Sequence, residues 1–272
     1  MRSTVCLVVL EHFRLDGKVA IISGAGRGIG AACAEALAEA GADVVIGARS
    51  VDQLTETAAA VEAHGRRAIG VEGDLSTRDG MQQLVDAAAD FGGIDIVVNN
   101  VGGAMPAGFL DTSERAFDAA LRFNVTTAFN LTQLAVPAML TRGGGSVINI
   151  TSTAGRFAIR GMSAYGTAKA ALIHLTRELA ADLSPKIRVN AVSPGAIATS
   201  ALEIVTETPE LRDAMVAGTP LKRLGQPWEI AAAVLYLASP AAGYVTGEIL
   251  SVSGGIQGSN LELGLPDLSW PS

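Results

Sequence analysis

From residue 18 onward the chain alternates short runs rich in Val and Ile with longer Ala-rich stretches. No other feature restricts its possible folds as much. The short runs, at 19–23, 43–46, 68–71, 94–99, 146–150, 187–192 and 248–252, are mostly apolar without a break. That pattern predicts strands covered on both faces, as in a parallel sheet. Helices are predicted at 29–40, 51–64, 78–91, 113–140, 165–182 and 227–238. Strict alternation of the two implies right-handed crossovers, hence an α/β fold with a doubly wound, seven-stranded parallel sheet and helices on both faces. No linker, repeat or low-complexity block divides the chain, so residues 1–272 read as one domain.

Three segments fall outside the alternation. Residues 1–12 read as an amino-terminal extension. The connection at 197–219, with Leu202, Ile204, Val205, Leu211, Met215 and Val216 among acidic residues, reads as a substrate lid. The tail at 259–272 carries Leu261, Leu263, Leu265, Leu268 and Trp270, apolar enough to dock on a neighbour or to cover a cleft.

Charge and composition narrow the partners. With 20 basic against 27 acidic residues, a net charge of −7 and no long Lys/Arg run, neither nucleic acid nor an anionic membrane is the expected partner. Cys6 and Cys33 give no disulfide framework, and with His12, His64 and His174 they give no metal-ligand spacing. The apolar run at 5–10 is shorter than a signal-peptide core of about 7 residues and far short of the roughly 18 that span a bilayer. A metal-free, cytoplasmic protein is the expectation.

Glycine accounts for 31 of the 272 residues, and the first cluster is Ser23-Gly-Ala-Gly-Arg-Gly-Ile-Gly30, between the first strand and the first helix. Glycines at such a turn let the backbone approach a pyrophosphate, while the helix start offers free N–H groups and partial positive charge. A dinucleotide suits this turn. The spacing G-x-G-x-x-G/A threads only through Gly26, Gly28 and Ala31, whereas Gly24, Gly28 and Gly30 fit the strand end better. The second strand ends Ile46-Gly-Ala-Arg49 without the carboxylate that would bind the ribose 2′-hydroxyl of NAD; Asp43 precedes the strand and Asp52 opens the next helix. Arg27 and Arg49 suit a 2′-phosphate, so NADP(H) is the predicted cofactor and NAD(H) the alternative.

Tyr165 and Lys169, four residues apart on a predicted helix, project from one face. A tyrosine exchanges protons near neutrality only if its pKa of about 10 falls, and an ammonium beside it favours the phenolate. Such pairs are common on helices, so other residues must support the reading. Ser152, at the end of the fifth strand where open α/β sheets bind ligands, could hold a substrate oxygen beside the phenol.

Together these motifs resemble the short-chain dehydrogenase/reductase family from about residue 15 to 258. The family's glycine motif appears as Gly24, Gly28 and Gly30 with Ile29 between, and its adenine-contacting acid as Asp74 beside Leu75. Its Asn-Asn-Ala-Gly turn appears as Asn99-Asn100-Val101-Gly102, with Val101 in place of Ala, and its catalytic set as Asn124, Ser152, Tyr165 and Lys169. Pro194-Gly195-Ala-Ile197-Ala-Thr199 matches the stretch that holds the nicotinamide carboxamide. The resemblance implies a Rossmann-type domain and hydride transfer between a nicotinamide and a secondary alcohol or ketone. In it Tyr165 exchanges the proton, Ser152 orients the oxygen, Lys169 binds the nicotinamide ribose and lowers the Tyr pKa, and Asn124 holds a relay water. It also implies a homotetramer assembled through the helices at 113–140 and 165–182.

Within the family, residues 13–18, 99–103, 194–202 and 219–227 resemble hydroxysteroid dehydrogenases, and 3-oxoacyl-carrier-protein reductases share much of the same framework. The steroid enzymes of this look carry an acid at the second strand tip, from which Ala48-Arg49 departs. An acyl-carrier substrate would need basic docking surface, for which Arg156, Arg160, Lys222 and Arg223 are candidates. A hydrophobic small-molecule ketone or alcohol, of size the sequence leaves open, is the expected substrate. Two rival readings remain. A non-catalytic dinucleotide sensor would have little use for the Ser152, Tyr165 and Lys169 set, and an extended-family epimerase would need a larger carboxy-terminal domain than the twenty residues after Val252.

Overall fold

The structure, a computed structural model, describes residues 8–202, 207–260, 263–265 and 267. Its sheet runs β3 (Ala68–Glu72), β2 (Asp43–Ala48), β1 (Val19–Ser23), β4 (Ile96–Asn99), β5 (Gly145–Ile150), β6 (Ile187–Pro194) and β7 (Ile249–Val252), with every neighbouring pair parallel. The chain winds outward from β1 to β3 and then returns to β4 on the other side of β1. Ligands bind at such a switch point, outside the carboxyl ends of the strands.

Alternate residues of the central strands feed two separate cores. Ile22, Ile46, Val98 and Ile148 pack toward α1 (Gly28–Glu39) and α8 (Pro227–Ala238). Ile21, Val45, Val97 and Val147 pack toward α3 (Arg78–Ala87) and α5 (Thr127–Thr141). Both faces are therefore dry, which is why these runs read as continuously apolar. Each such side chain contributes roughly 1.5–3 kcal/mol on burial. Ser50, Thr77 and Ser113 open α2 (Val51–Ala63), α3 and α4 (Glu114–Leu121), their hydroxyls accepting from the Gln53, Gly80 and Ala116 amides.

The predicted helix at 113–140 is broken. After α4 comes a π turn at Arg122–Thr126, and α5 follows. Asn124 Nδ2 donates to the Ala120 carbonyl at 2.8 Å, taking the acceptor that its own backbone N–H would use in an unbroken α-helix. The predicted helix at 78–91 ends at Ala87 and tightens into a 3₁₀ turn at Ala88–Phe91, closed by Gly92 at φ +85°. The helix carrying Tyr165, α6, spans Ser163–Leu183.

Of the extension expected at 1–12, residues 1–7 lie outside the described residues; Val9–Phe13 form a 3₁₀ turn whose Phe13 ring stands 6.3 Å from Tyr236. The connection at 197–219 is also more regular than its sequence pattern. It pairs Ile197 with Gly225, turns at Ser200–Leu202 and forms α7 (Pro209–Ala217), with Met215 buried beneath; Ile204 and Val205 lie outside the described residues, as do Leu261, Leu268 and Trp270 of the tail. Among the described residues no helix is long and apolar enough to cross a membrane.

The fourth strand begins at Ile96, not at 94. Asp95, buried at 3 % exposure, instead ties the amino edge of the sheet, accepting from Val19 N at 3.0 Å, Lys18 Nζ at 3.0 Å and Arg142 Nη2 at 2.7 Å. Removing the carboxylate strands a buried amide and leaves Arg142 unbalanced. Asp95→Ala is expected to cost about 3 kcal/mol in urea unfolding; a loss under about 1 kcal/mol would contradict this role.

Candidate active site

The glycine turn after β1 has the geometry a pyrophosphate needs. Gly24 and Gly28 adopt φ +69° and +60°, which other residues rarely take. At Gly30 a Cβ would stand 2.3 Å from the Gly24 carbonyl oxygen, so α1 can begin this close to the strand end only with glycine there. Asn100 braces the turn from β4, its Nδ2 donating to Gly24 O at 2.9 Å and its backbone N to Ser23 Oγ at 3.1 Å. Unlike α2, α3 and α4, α1 has no side-chain cap. These features fit a dinucleotide phosphate.

The loop after β6 reaches the same place. A Cβ on Gly28 would lie 3.4 Å from Thr199 Cγ2, and one on Gly195 would fall 2.8 Å from Ser253 Cα. Pro194 ends β6, and Ile197 is buried against the sheet. Ile29 packs on the α1 core. On the opposite side, Asp74 lies exposed after β3 and accepts from Ser76 N at 2.9 Å. Hydrogen bonding from the Ser76 side chain, then from its amide, holds the carboxyl below the usual carboxylate range, with Arg49 adding to the effect. Leu75 is buried beneath β2, beside Gly47. Arg27 and Arg49 are exposed at the turn and at the β2 tip.

Four predicted residues meet at the carboxyl end of β5. Lys169, 3 % exposed, donates from Nζ to the Ile150 carbonyl at 2.9 Å and lies 5.7 Å from the centre of the Tyr165 ring. Asn124 is wholly buried: Nδ2 also donates to Gly103 O, and Oδ1 accepts from Gly103 N, both at 2.9 Å. A Cβ on Gly102 would lie 2.6 Å from Asn124 Oδ1 and 2.7 Å from Lys169 Nζ, so this backbone separates the amide from the ammonium without filling the space. Ser152 opens the turn Thr153–Gly155, its Oγ accepting from Ala154 N at 3.1 Å. At Gly155 a Cβ would lie 2.6 Å from the Lys169 backbone, and one at Gly166 would lie 2.9 Å from Ala154 O. Two glycines thus let the Ser152 turn lie flush on α6, beside Tyr165.

Burial governs the electrostatics. It raises the Tyr165 pKa above its ordinary value, while the Ser152 hydroxyl pulls the other way. It lowers Lys169 to about 8. At the phenol, loss of solvent outweighs the hydrogen bond from Ser152.

The basic residues considered for a docking surface are occupied. Arg223 forms a two-point pair with Glu229 at 2.6 Å for each bond, and Arg160 pairs with Asp267 at 2.9 Å. Arg156 donates to Ser251 and lies over Phe157, and Lys222 Nζ donates to Ala217 O. Sequence reasoning missed Ser23 as a brace, the Ile150 carbonyl as the lysine acceptor, and the packing role of Gly155 and Gly166. Only the small side chains beside catalytic positions could have signalled the last of these.

Comparison with known proteins agrees with this geometry. The family model described as "Enoyl-(Acyl carrier protein) reductase" matches residues 24–257. The chain is 55% identical over 263 residues to an uncharacterized oxidoreductase of Mycobacterium tuberculosis, covering 96% of this chain and 100% of that protein. It is 44% identical over 247 residues to 7alpha-hydroxysteroid dehydrogenase of Escherichia coli, covering 90% and 96%. A solved 7 alpha-hydroxysteroid dehydrogenase complexed with NADH and 7-oxo glycochenodeoxycholic acid superimposes with a TM-score of 0.87 at 43% identity, over 91% of this chain and 98% of that one. With its doubly wound sheet, glycine turn and Ser152, Tyr165 and Lys169 brought together at one edge, the chain belongs to the short-chain dehydrogenase/reductase family of oxidoreductases.

Proposed function

We propose that this protein interconverts a hydrophobic secondary alcohol and a ketone, with NADP(H) as its preferred cofactor. The observation that carries the reading is the convergence of Ser152, Tyr165 and Lys169 beside the glycine turn. When bound, the nicotinamide supplies or accepts the hydride. Tyr165 gives a proton to the ketone oxygen in reduction and removes it in oxidation. Ser152 Oγ holds that oxygen against the phenol. Lys169 has donors left after its bond to Ile150 and offers one to the nicotinamide ribose. Asn124, whose Oδ1 keeps a free lone pair near the ammonium, passes the proton through a water toward solvent. Gly24, Gly28, Ile29, Gly30, Asn100 and Gly102 shape the pyrophosphate side, Asp74 and Leu75 the adenine side, and Pro194, Gly195, Ile197 and Thr199 the nicotinamide side.

NADPH preference is supported by Arg27 and Arg49, whose exposed side chains form no ion pair or hydrogen bond among the described residues, and by the missing acid at the β2 tip. A bulky substrate of the hydroxysteroid type is favoured over an acyl-carrier thioester. The similarity to the Escherichia coli enzyme supports this, as does the internal pairing of the four basic side chains. Residues 197–219, with α7, cover the substrate. Exposed Phe123 and Phe129, on the π turn and α5, support assembly as a homotetramer through this helical face and α6.

Three measurements test the reading. Tyr165→Phe is expected to lower ketone reduction about 10³-fold while NADPH binding persists; near wild-type turnover would refute the assignment. Arg49→Glu should reduce kcat/KM with NADPH about 30-fold, the equivalent of ~2 kcal/mol for a charged hydrogen bond, without the same loss with NADH. Equal losses with both cofactors would count against a 2′-phosphate site. The third is a pH profile. Because Lys169 titrates at about 8 and burial keeps Tyr165 protonated above its ordinary value, reduction should fall as pH rises through about 8, when the ammonium is lost. A profile flat to about pH 10, the ordinary tyrosine value, would contradict this role for Lys169.

A further inference from the structure

Among the described residues, Lys222 is the one residue other than glycine with a left-handed backbone, at φ +53°. That conformation is sterically disfavoured for an L-residue and persists where the surroundings fix it. The end of α7 shows what fixes it. The last four carbonyls of a helix have no partner further along it, and here all four are met. Ala214 O accepts from Gly218 N at 2.9 Å, Met215 O from Thr219 Oγ1 at 2.9 Å and Val216 O from Thr219 N at 3.1 Å. The last, Ala217 O, accepts from Lys222 Nζ at 2.5 Å. A cation at this end also complements the negative pole of the helix. The backbone of the same residue turns back on Thr219, whose carbonyl accepts from Lys222 N at 2.9 Å. One residue earlier, Leu221 N donates to Gly254 O at 3.1 Å, in the loop after β7.

From Lys222 the chain runs directly to the loop after β6. Arg223 is held by Glu229 at the start of α8. Gly225 then brackets Ile197, its N donating to Ala196 O and its O accepting from Ala198 N, both at 2.9 Å. A cavity of about 210 Å³ borders the turn, lined in part by Ile197, Thr219, Leu221 and Gly225, so polar bonds rather than close packing hold this stretch. We propose that Lys222 is the latch of the covering segment: its left-handed backbone and its ammonium together fix the carboxyl end of α7 relative to the loop after β6. Lys222 acts through α7, as a positioning residue. Its effect on substrate rests on the reading above that α7 covers the ketone, whereas the latch itself rests on these bonds alone.

Both tests use the full-length protein loaded with NADPH. Lys222→Gly keeps the turn, because glycine takes this φ freely, and removes the ammonium; Lys222→Arg keeps a cationic donor. Hydrogen exchange requires no turnover. Lys222→Gly should speed backbone exchange at 209–217 about threefold or more, with β5 and α8 unchanged and Lys222→Arg within about twofold of wild type. Unaltered exchange at 209–217 in Lys222→Gly, or equal acceleration along the whole chain, would overturn the latch. In reduction of a steroid ketone, Lys222→Gly should raise KM about threefold with kcat and NADPH affinity within about twofold, and Lys222→Arg should restore KM. An unchanged KM, or a joint fall in kcat and NADPH affinity, would overturn its role in holding the cover over the substrate. A wild-type protein that does not reduce the ketone would count against the proposed reaction, and the exchange result would still decide the latch.

Discussion

At Gly102 there is no room for a methyl group: Asn124 Oδ1 and Lys169 Nζ already crowd its place at 2.6 and 2.7 Å. The same shortage of space recurs at Gly30, against the Gly24 carbonyl, and at Gly155, against the α6 backbone at Lys169. In each case two backbones, or a backbone and a functional group, approach more closely than any Cβ would allow. The phosphate turn, the lysine and the serine are placed by these contacts, so the site depends on bare backbone at the carboxyl edge. Glycine is costly in an ordered segment, by roughly 0.5–1 kcal/mol relative to Ala in a helix or strand. Here the cost is offset by the packing it permits.

A buried polar chain stiffens the sheet behind the site. Asn99 on β4 donates to Thr132 on α5 and to Asn149 on β5, and Asn149 donates to Thr176 on α6, all at 2.8–3.0 Å. Two strands and the helices on one face are thereby fixed in register, including the helix that carries Tyr165 and Lys169. Hydrogen-bonded networks in a low-dielectric core rigidify what they join, and in this one only Asn99 Oδ1 is left without a partner among the described residues. At the opposite edge of the sheet, Asp95 and Asp43 gather Lys18, Arg142, Arg66 and Arg67. Charge that serves stability is thus kept apart from the edge proposed to handle protons. At that edge, burial keeps the phenol protonated and brings the lysine toward physiological pH.

Much of this was legible in the sequence, for identifiable reasons. Strands buried on both faces write themselves as continuous Val and Ile runs, and parallel pairing follows from their alternation with helices, while the strand order came from the structure. Tyr165 and Lys169 were readable because a four-residue spacing on a helix fixes a common face. The break at Asn124 was not. Residues 113–140 have helical pattern throughout, and only the competition of the Asn124 amide for the Ala120 carbonyl, set by the Gly103 loop packed against it, opens the turn. Arg156, Arg160, Lys222 and Arg223 looked like free basic surface, because their partners at Ser251, Asp267, Ala217 and Glu229 are chosen by folding and not by proximity of the motifs.

The sequence by itself determined the fold class, the place of the glycine turn and the side chains proposed to react. These depend on local rules: residue period, the conformational freedom of glycine at a strand end, and functional groups spaced along one helix. The tertiary structure decided which backbones approach without side chains between them, in which direction burial moves Tyr165 and Lys169 from their solution behaviour, and where Asn260, Leu263 and Leu265 lie. Those properties come from segments far apart in the chain. Desolvation and close packing belong to the assembled volume, and neither can be read along a single strand of sequence.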